Sequence, residues 1–298
     1  MFVGAMELRL EDAENGLSFP ALVMYPTQQA PASHAFGPYV MEVSPDAPTA
    51  PGQYPLVLVS HGSGGSHLLY RTITCHLARH GYVVAMIEHP GNNRVDNQFM
   101  GEVENLQYRP RHLKLAADYL YQNAVFSRYL QPGRLAVVGH SMGGYAALAL
   151  AGGTPWYPPE AFKPDYQGPA PSLVEVEHDD RIKALVLLAP ATAWFAQKGA
   201  LNQVRVPILM LSAEHDPYTP AWHGDIVLQG VADPALISAR TVKNAGHFSF
   251  LSPFPAKIKN GGALPTTDPE GFDREQFHEQ LKQEILAYLN RKLKAEPI

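Results

Sequence analysis

The 298-residue chain has a single cysteine, Cys75. That excludes an intramolecular disulfide, and it suits a reducing compartment. Cys75 falls in a helical stretch from His67 to His80, where a buried structural thiol is expected and a reactive one is not. Basic charge is also short. Lys and Arg number 23 against 28 Asp and Glu, a net charge of −5 with no Lys/Arg cluster, so nucleic acid and anionic membrane are not expected partners. No apolar run approaches a membrane span, and Met1–Glu7 has neither the basic segment nor the sustained apolar run of a secretory signal. The expectation is a cytoplasmic protein without integral membrane association. Nucleotide loops are missing as well. In His61-Gly62-Ser63-Gly64-Gly65 a G-x-G-x-x-G would need glycine at position 67, which is His67, and no G-K-[ST] occurs. His76 and His80 are spaced i,i+4 without the glutamate of H-E-x-x-H, and histidines in a last helical turn suit the helix dipole.

Apolar residues make up 46% of the chain, enough for a large core in one domain spanning residues 1–298. The first 50 residues read as antiparallel strands (Glu7–Leu10, Leu17–Tyr25), followed by a Pro/Ala-rich surface loop from Pro26 to Gly52. Strands are then predicted at Pro55–Ser60, Tyr82–Glu88, Arg134–Val138, Lys183–Ala189, Pro207–Ser212 and Ile237–Val242. Helices are predicted at His67–His80, Tyr108–Asn123, Met142–Ala151 and Asp273–Lys294. Such alternation means βαβ units and a mostly parallel central sheet flanked by helices. Residues 152–178 interrupt it with six prolines among Trp156, Tyr157, Phe162 and Tyr166. Proline at that density opposes a regular element, while four aromatics do not suit a disordered linker. The segment is expected to be a cap or lid near the mouth of a site, the plainer alternative being a surface insertion packed on the nearest helix.

The chemistry is concentrated at Leu135-Ala136-Val137-Val138-Gly139-His140-Ser141-Met142-Gly143-Gly144. A buried-strand pattern, a G-x-S-x-G and a run of helix formers make the strand–turn–helix setting of a nucleophile elbow, with Ser141 at its tip. A serine hydroxyl needs a base, and His247, just past the last predicted strand, is the candidate. The acid should lie between them in sequence. Asp216 in Glu214-His215-Asp216-Pro217 is the first choice, Glu214 the second, and Asp225 reads as a solvated charge. An oxyanion hole would draw on the N–H of Met142 and, from the glycine-rich loop, the N–H of Ser63. This chemistry calls for no metal and no cofactor.

Together these residues resemble the α/β-hydrolase superfamily. Leu56–Gly65, with Gly81-Tyr82-Val83-Val84-Ala85-Met86-Ile87-Glu88-His89-Pro90-Gly91, looks like the predicted dienelactone hydrolase family that includes platelet-activating-factor acetylhydrolase-like esterases. The resemblance implies an α/β-hydrolase fold and a serine esterase acting on a small-molecule ester. Two departures stand out. Dienelactone hydrolases use a cysteine where this chain has Ser141. The acetylhydrolase acid follows an earlier strand, whose counterpart here, Leu188-Ala189-Pro190-Ala191-Thr192, has no carboxylate. Amide hydrolysis, acyl transfer and cofactor-free perhydrolysis could use the same residues. A non-catalytic binding module is disfavoured because all three triad positions are filled.

Overall fold

The computed structural model describes residues 1–163, 165–259 and 261–294. Its main feature is a ten-stranded sheet. The strands are β1 (Phe2–Asp12), β2 (Leu17–Thr27), β3 (Ala32–Phe36), β4 (Tyr39–Pro45), β5 (Tyr54–Ser60), β6 (Val83–Ile87), β7 (Leu130–His140), β10 (Ile182–Leu188), β11 (Ile208–His215) and β12 (Ile237–Gly246), while β8 (Trp156–Tyr157) and β9 (Ser172–Leu173) form a separate short ribbon. The order across the large sheet is β12-β11-β10-β7-β5-β6-β2-β1-β4-β3. From β12 to β6 every pairing is parallel, and β2 then joins β6 antiparallel. The central strands β5 and β6 are buried along their whole length, as their unbroken apolar sequences require.

Helices cover both faces. α2 (Val103–Gln122) and α3 (Met142–Leu150) pack on one side through Leu113, Ala117, Tyr145 and Leu148. α1 (Arg71–Arg79) and α6 (Arg274–Leu289) pack on the other through Ile73, Leu77, Leu281 and Ile285. α4 (Trp222–Gly230) and the single turn α5 (Ala256–Lys259) lie in the connections around β12. The expected α/β-hydrolase architecture is thus present, with local differences.

The stretch read as a loop from Pro26 to Gly52 contains the β3–β4 hairpin. Its alternation, with Tyr39, Met41 and Val43 inward and Val40 and Glu42 outward, is a strand signal that the flanking prolines obscure. β11 runs three residues past Ser212, and β7 begins four before Arg134. The segment 152–178 is not wholly irregular, because Trp156 pairs with Leu173 and Tyr157 with Ser172. Finally, α2 starts five residues before Tyr108 and continues through Pro110. Proline cannot donate to the carbonyl four residues back, which is that of Leu106. The Tyr145 hydroxyl donates to that oxygen at 3.0 Å instead, so the helix loses no buried hydrogen bond there.

Candidate active site

β7 delivers Ser141 at the carboxyl edge of the sheet with φ 54° and ψ −118°, a conformation that costs an L-residue about 1–3 kcal/mol. The surroundings fix it. Ser141 N–H donates to Leu188 O at 3.0 Å, and Ser141 O accepts from the N–H groups of Gly144 (2.8 Å), Ala191 (3.0 Å) and Tyr145 (3.3 Å). The flanking glycines are a steric requirement. A Cβ on Gly139 would lie 2.2 Å from Gly143 O, and one on Gly143 would lie 2.0 Å from Ser60 O. Met142 follows as the first residue of α3, where N–H groups lack an intrahelical acceptor.

His247 stands immediately past β12 and is buried. Its Nδ1 is 2.7 Å from Asp216 Oδ2. The other Asp216 oxygen accepts the N–H groups of Tyr218 (2.8 Å) and Thr219 (2.9 Å), and the Thr219 hydroxyl donates to Oδ2 at 2.7 Å. Burial alone would raise the Asp216 pKa. The bonds from His247 and Thr219 outweigh burial and hold it down to about 2, so the carboxylate is ionised at neutral pH. An ionised carboxylate only accepts; Nδ1 therefore carries the imidazole proton and Nε2 is free to act as a base. Glu214 faces elsewhere. It is exposed, accepting from Lys243 Nζ at 2.8 Å and from Asn244 N–H at 2.8 Å. Asp225 is exposed in the first turn of α4.

The glycine-rich loop lies against the elbow, since a Cβ on Gly62 would sit 3.2 Å from Ser141 Cβ. Ser63, next in the chain, is exposed, and its hydroxyl accepts from Asn92 Nδ2 at 2.9 Å. Cys75 is half-buried, and burial pushes its thiol up to about 11, as befits a structural residue. Among the described residues no cluster of His, Cys, Asp and Glu could hold a metal ion.

A ferulic acid esterase from Streptomyces cinnamoneus has the same arrangement of elements, with a TM-score of 0.69 at 17% identity over 99% of this chain and 91% of that one. The chain is an α/β hydrolase by fold. Sequence likeness is more local. The family described as platelet-activating factor acetylhydrolase, isoform II, matches residues 27–117. Cutinase 2 of Thermobifida cellulosilytica is 31% identical over 170 residues, 56% of this chain and 50% of that protein. Cutinase est1 of Thermobifida alba is 26% identical over 199 residues, 66% of this chain and 54% of that one. The chain spans about half the length of the curated relatives it matches. The resemblance to α/β-hydrolase serine esterases read from the motif loops is borne out by these likenesses.

Beneath the site the hydrolase fold has a polar layer that the sequence reading missed. Tyr70 and His140 join three loops. Gly62 N–H donates to the Tyr70 hydroxyl at 3.4 Å, and that hydroxyl lies 2.9 Å from His140 Nδ1. His140 Nε2 is 3.0 Å from the carbonyl oxygen of His247. A carbonyl can only accept, so His140 carries its proton on Nε2 and takes the Tyr70 proton on Nδ1. Burial, with His247 close by, keeps His140 neutral, its pKa down to about 3. Thr219 was missed too, although it directly follows the Asx-turn that Asp216 makes with the Tyr218 N–H. Arg109 was also missed, and here a signal existed: a charged residue in register with Leu106, Leu113 and Ala116 on the apolar face of a helix.

Proposed function

We propose that the protein hydrolyses carboxylic esters through a Ser141–His247–Asp216 triad and an acyl-enzyme. The carrying observation is the buried 2.7 Å bond from His247 Nδ1 to Asp216, beside the strained turn that presents Ser141. Ester hydrolysis is also the chemistry named by the acetylhydrolase and esterase descriptions among its likenesses. Ser141 Oγ attacks the substrate carbonyl while His247 Nε2 takes the hydroxyl proton. Asp216 stabilises the imidazolium that forms and keeps its ring oriented. The N–H groups of Met142 and Ser63 receive the oxyanion, each donor being worth about 10²–10³ in turnover. His247 then gives its proton to the leaving alkoxide, and the alcohol departs. Water, deprotonated by the same Nε2, attacks the acyl-enzyme; the acyl–Oγ bond breaks, His247 returns the proton to Ser141 Oγ, and the acid is released.

Apolar surface for the substrate is available at the mouth. The exposed Tyr218 ring lies 5.1 Å, centroid to centroid, from His247 and 5.4 Å from Phe248. Residues 152–178 belong to this reading as a cap. They leave α3 at the end away from Ser141, so the departure point does not bring them to the mouth. Support comes from the Tyr157 hydroxyl, which reaches Gly101 O at 3.4 Å in the loop between β6 and α2. The test is labelling with a fluorophosphonate, which needs an activated serine. One site should react, and Ser141→Ala should lose both labelling and ester turnover while retaining its fold. Esterase activity persisting in that variant would sink the reading.

A further inference from the structure

A fully buried cation stands behind the oxyanion loop. Arg109, on the core face of α2, is 0% exposed. Burying a guanidinium is unfavourable unless its N–H groups find acceptors, and the usual acceptor is a carboxylate. Among the described residues Arg109 bonds only to neutral oxygens. Nη1 donates to His61 O at 2.7 Å, and Nη2 to Asn92 O at 3.3 Å and Gly62 O at 3.4 Å. Nε donates to Asn92 Oδ1 at 2.9 Å and Asn105 Oδ1 at 3.2 Å. Two of these acceptors are consecutive carbonyls of the loop that contains Ser63.

Other donors converge on the same peptide. Gly62 O also accepts from Gly65 N–H at 3.1 Å and from His61 Nδ1 at 2.7 Å. The His61 tautomer follows from its other nitrogen: His89 N–H donates to Nε2 at 3.0 Å, so the proton is on Nδ1. In a planar trans peptide the N–H points opposite to the C=O. Turning the Gly62 carbonyl inward, onto Arg109 and His61, therefore turns the Ser63 N–H outward. Asn92, held by Arg109 Nε, grips the Ser63 hydroxyl from the same side. Among the described residues no carboxylate bonds to Arg109, so its charge has no direct ion-pair partner behind a loop that would face developing negative charge.

We propose that Arg109 is the positioning residue of the oxyanion hole, fixing the direction of the Ser63 N–H and polarising its peptide before substrate arrives. The role rests on the Ser141 reading above. Preorganised donors act because they need not reorient during reaction, and a misplacement of about 1 Å can cost about 10²-fold in rate. Arg109→Lys keeps the charge but loses the two-pronged fork. Concentrations of active sites are set by fluorophosphonate titration, so misfolded enzyme does not count. kcat and KM are measured on p-nitrophenyl butyrate, together with inhibition by an alkyl trifluoromethyl ketone, whose adduct on Ser141 places an oxyanion in the hole.

The expected result is a kcat lower by about 10²-fold, KM within about threefold of the parent, and ketone affinity lower in step with kcat. Turnover per titrated site within about threefold of the parent, or a kcat loss with ketone affinity unchanged, would overturn the proposal. If Arg109→Lys does not fold, Asn92→Ala carries the test. It cuts the link to Ser63 and should lower kcat and ketone affinity together by about tenfold, and unchanged ketone affinity would overturn the proposal there too. Ser141→Ala run alongside separates the two readings. If it keeps turnover, the catalytic assignment fails. If it is silent while the Arg109 and Asn92 variants match the parent, only the positioning role fails.

Discussion

Asp216 and Glu214 stand two residues apart at the end of one strand, and only Asp216 faces His247. Strand alternation would send both the same way. The register of β11 against β12 breaks between Ala213 and His215, and β11 ends at His215, one residue before Asp216. Beyond that point Asp216 folds into an Asx-turn, accepting two backbone N–H groups through one oxygen and offering the other to the histidine. The turn and the contact with His247 are thus one arrangement: the turn aims the carboxylate. Asp216→Asn should preserve the turn but favour the wrong imidazole tautomer, lowering kcat by about 10⁴. Glu214→Gln should stay within about tenfold of the parent, as a group outside the catalytic unit. Steady-state kinetics on one ester decide it, and reversed behaviour would move the acid to Glu214.

At the scale of elements, the elbow depends on α2 as much as on β7. Tyr145, in the first turn of α3, donates to the carbonyl that Pro110 leaves open in α2, and Arg109, one residue before that proline, reaches the glycine-rich loop at His61 O. The helix that follows Ser141 and the helix that supports the glycine-rich loop are therefore tied at one point. The segment 152–178 is tied by a ribbon of two residue pairs, by Val174, buried in the core, and by the N–H groups of Gly153 and Thr154, which donate to Leu148 O at 2.9 Å and Ala200 O at 2.8 Å. As a cap it should discriminate acyl chains by apolar contact, worth about 1–3 kcal/mol per methylene. Tyr157→Ala should then change the ratio of hexanoyl to acetyl ester turnover by about tenfold while acetyl turnover holds within about threefold. An equal loss at every chain length would assign the segment to supporting the fold.

Across the whole molecule, buried histidines link stability to pH. Burial, with neighbouring charges, holds His61, His112 and His140 down to about 3 and His278 down to about 4. In the unfolded chain each titrates near 6.5. Above that pH both states are neutral and the contribution is flat. As pH falls below 6.5 the unfolded chain takes up protons that the folded one refuses, so stability is lost. A fully coupled histidine costs about 1.4 kcal/mol per pH unit. Asp216, at about 2 when folded against its usual 3.8, stabilises the fold above about pH 4, and that contribution goes as pH falls towards 2. Calorimetry from pH 7.5 to 5 should show Tm dropping by on the order of 10 °C. A flat profile would mean that these histidines protonate without unfolding.

The amino-acid sequence alone determined the parts whose information is local. Unbroken apolar runs gave β5, β6 and β10, and helical stretches between strands gave the parallel sheet. Gly139 and Gly143 marked a turn that tolerates no side chain. Ser141, His247 and Asp216 were legible as candidates through their order and their places at strand ends. The tertiary structure decided which carboxylate meets the histidine, that residues 32–45 form a hairpin beside β1, and that Arg109, Tyr70 and His140 tie the three loops together. Those ties span 48 residues from Arg109 to His61, 70 from Tyr70 to His140 and 107 from His140 to His247. Periodicity and capping are written within a turn or two of chain. A hydrogen bond across such separations exists only because β5, β7, β10, β11 and β12 lie side by side in one sheet, and no spacing along the chain encodes that order.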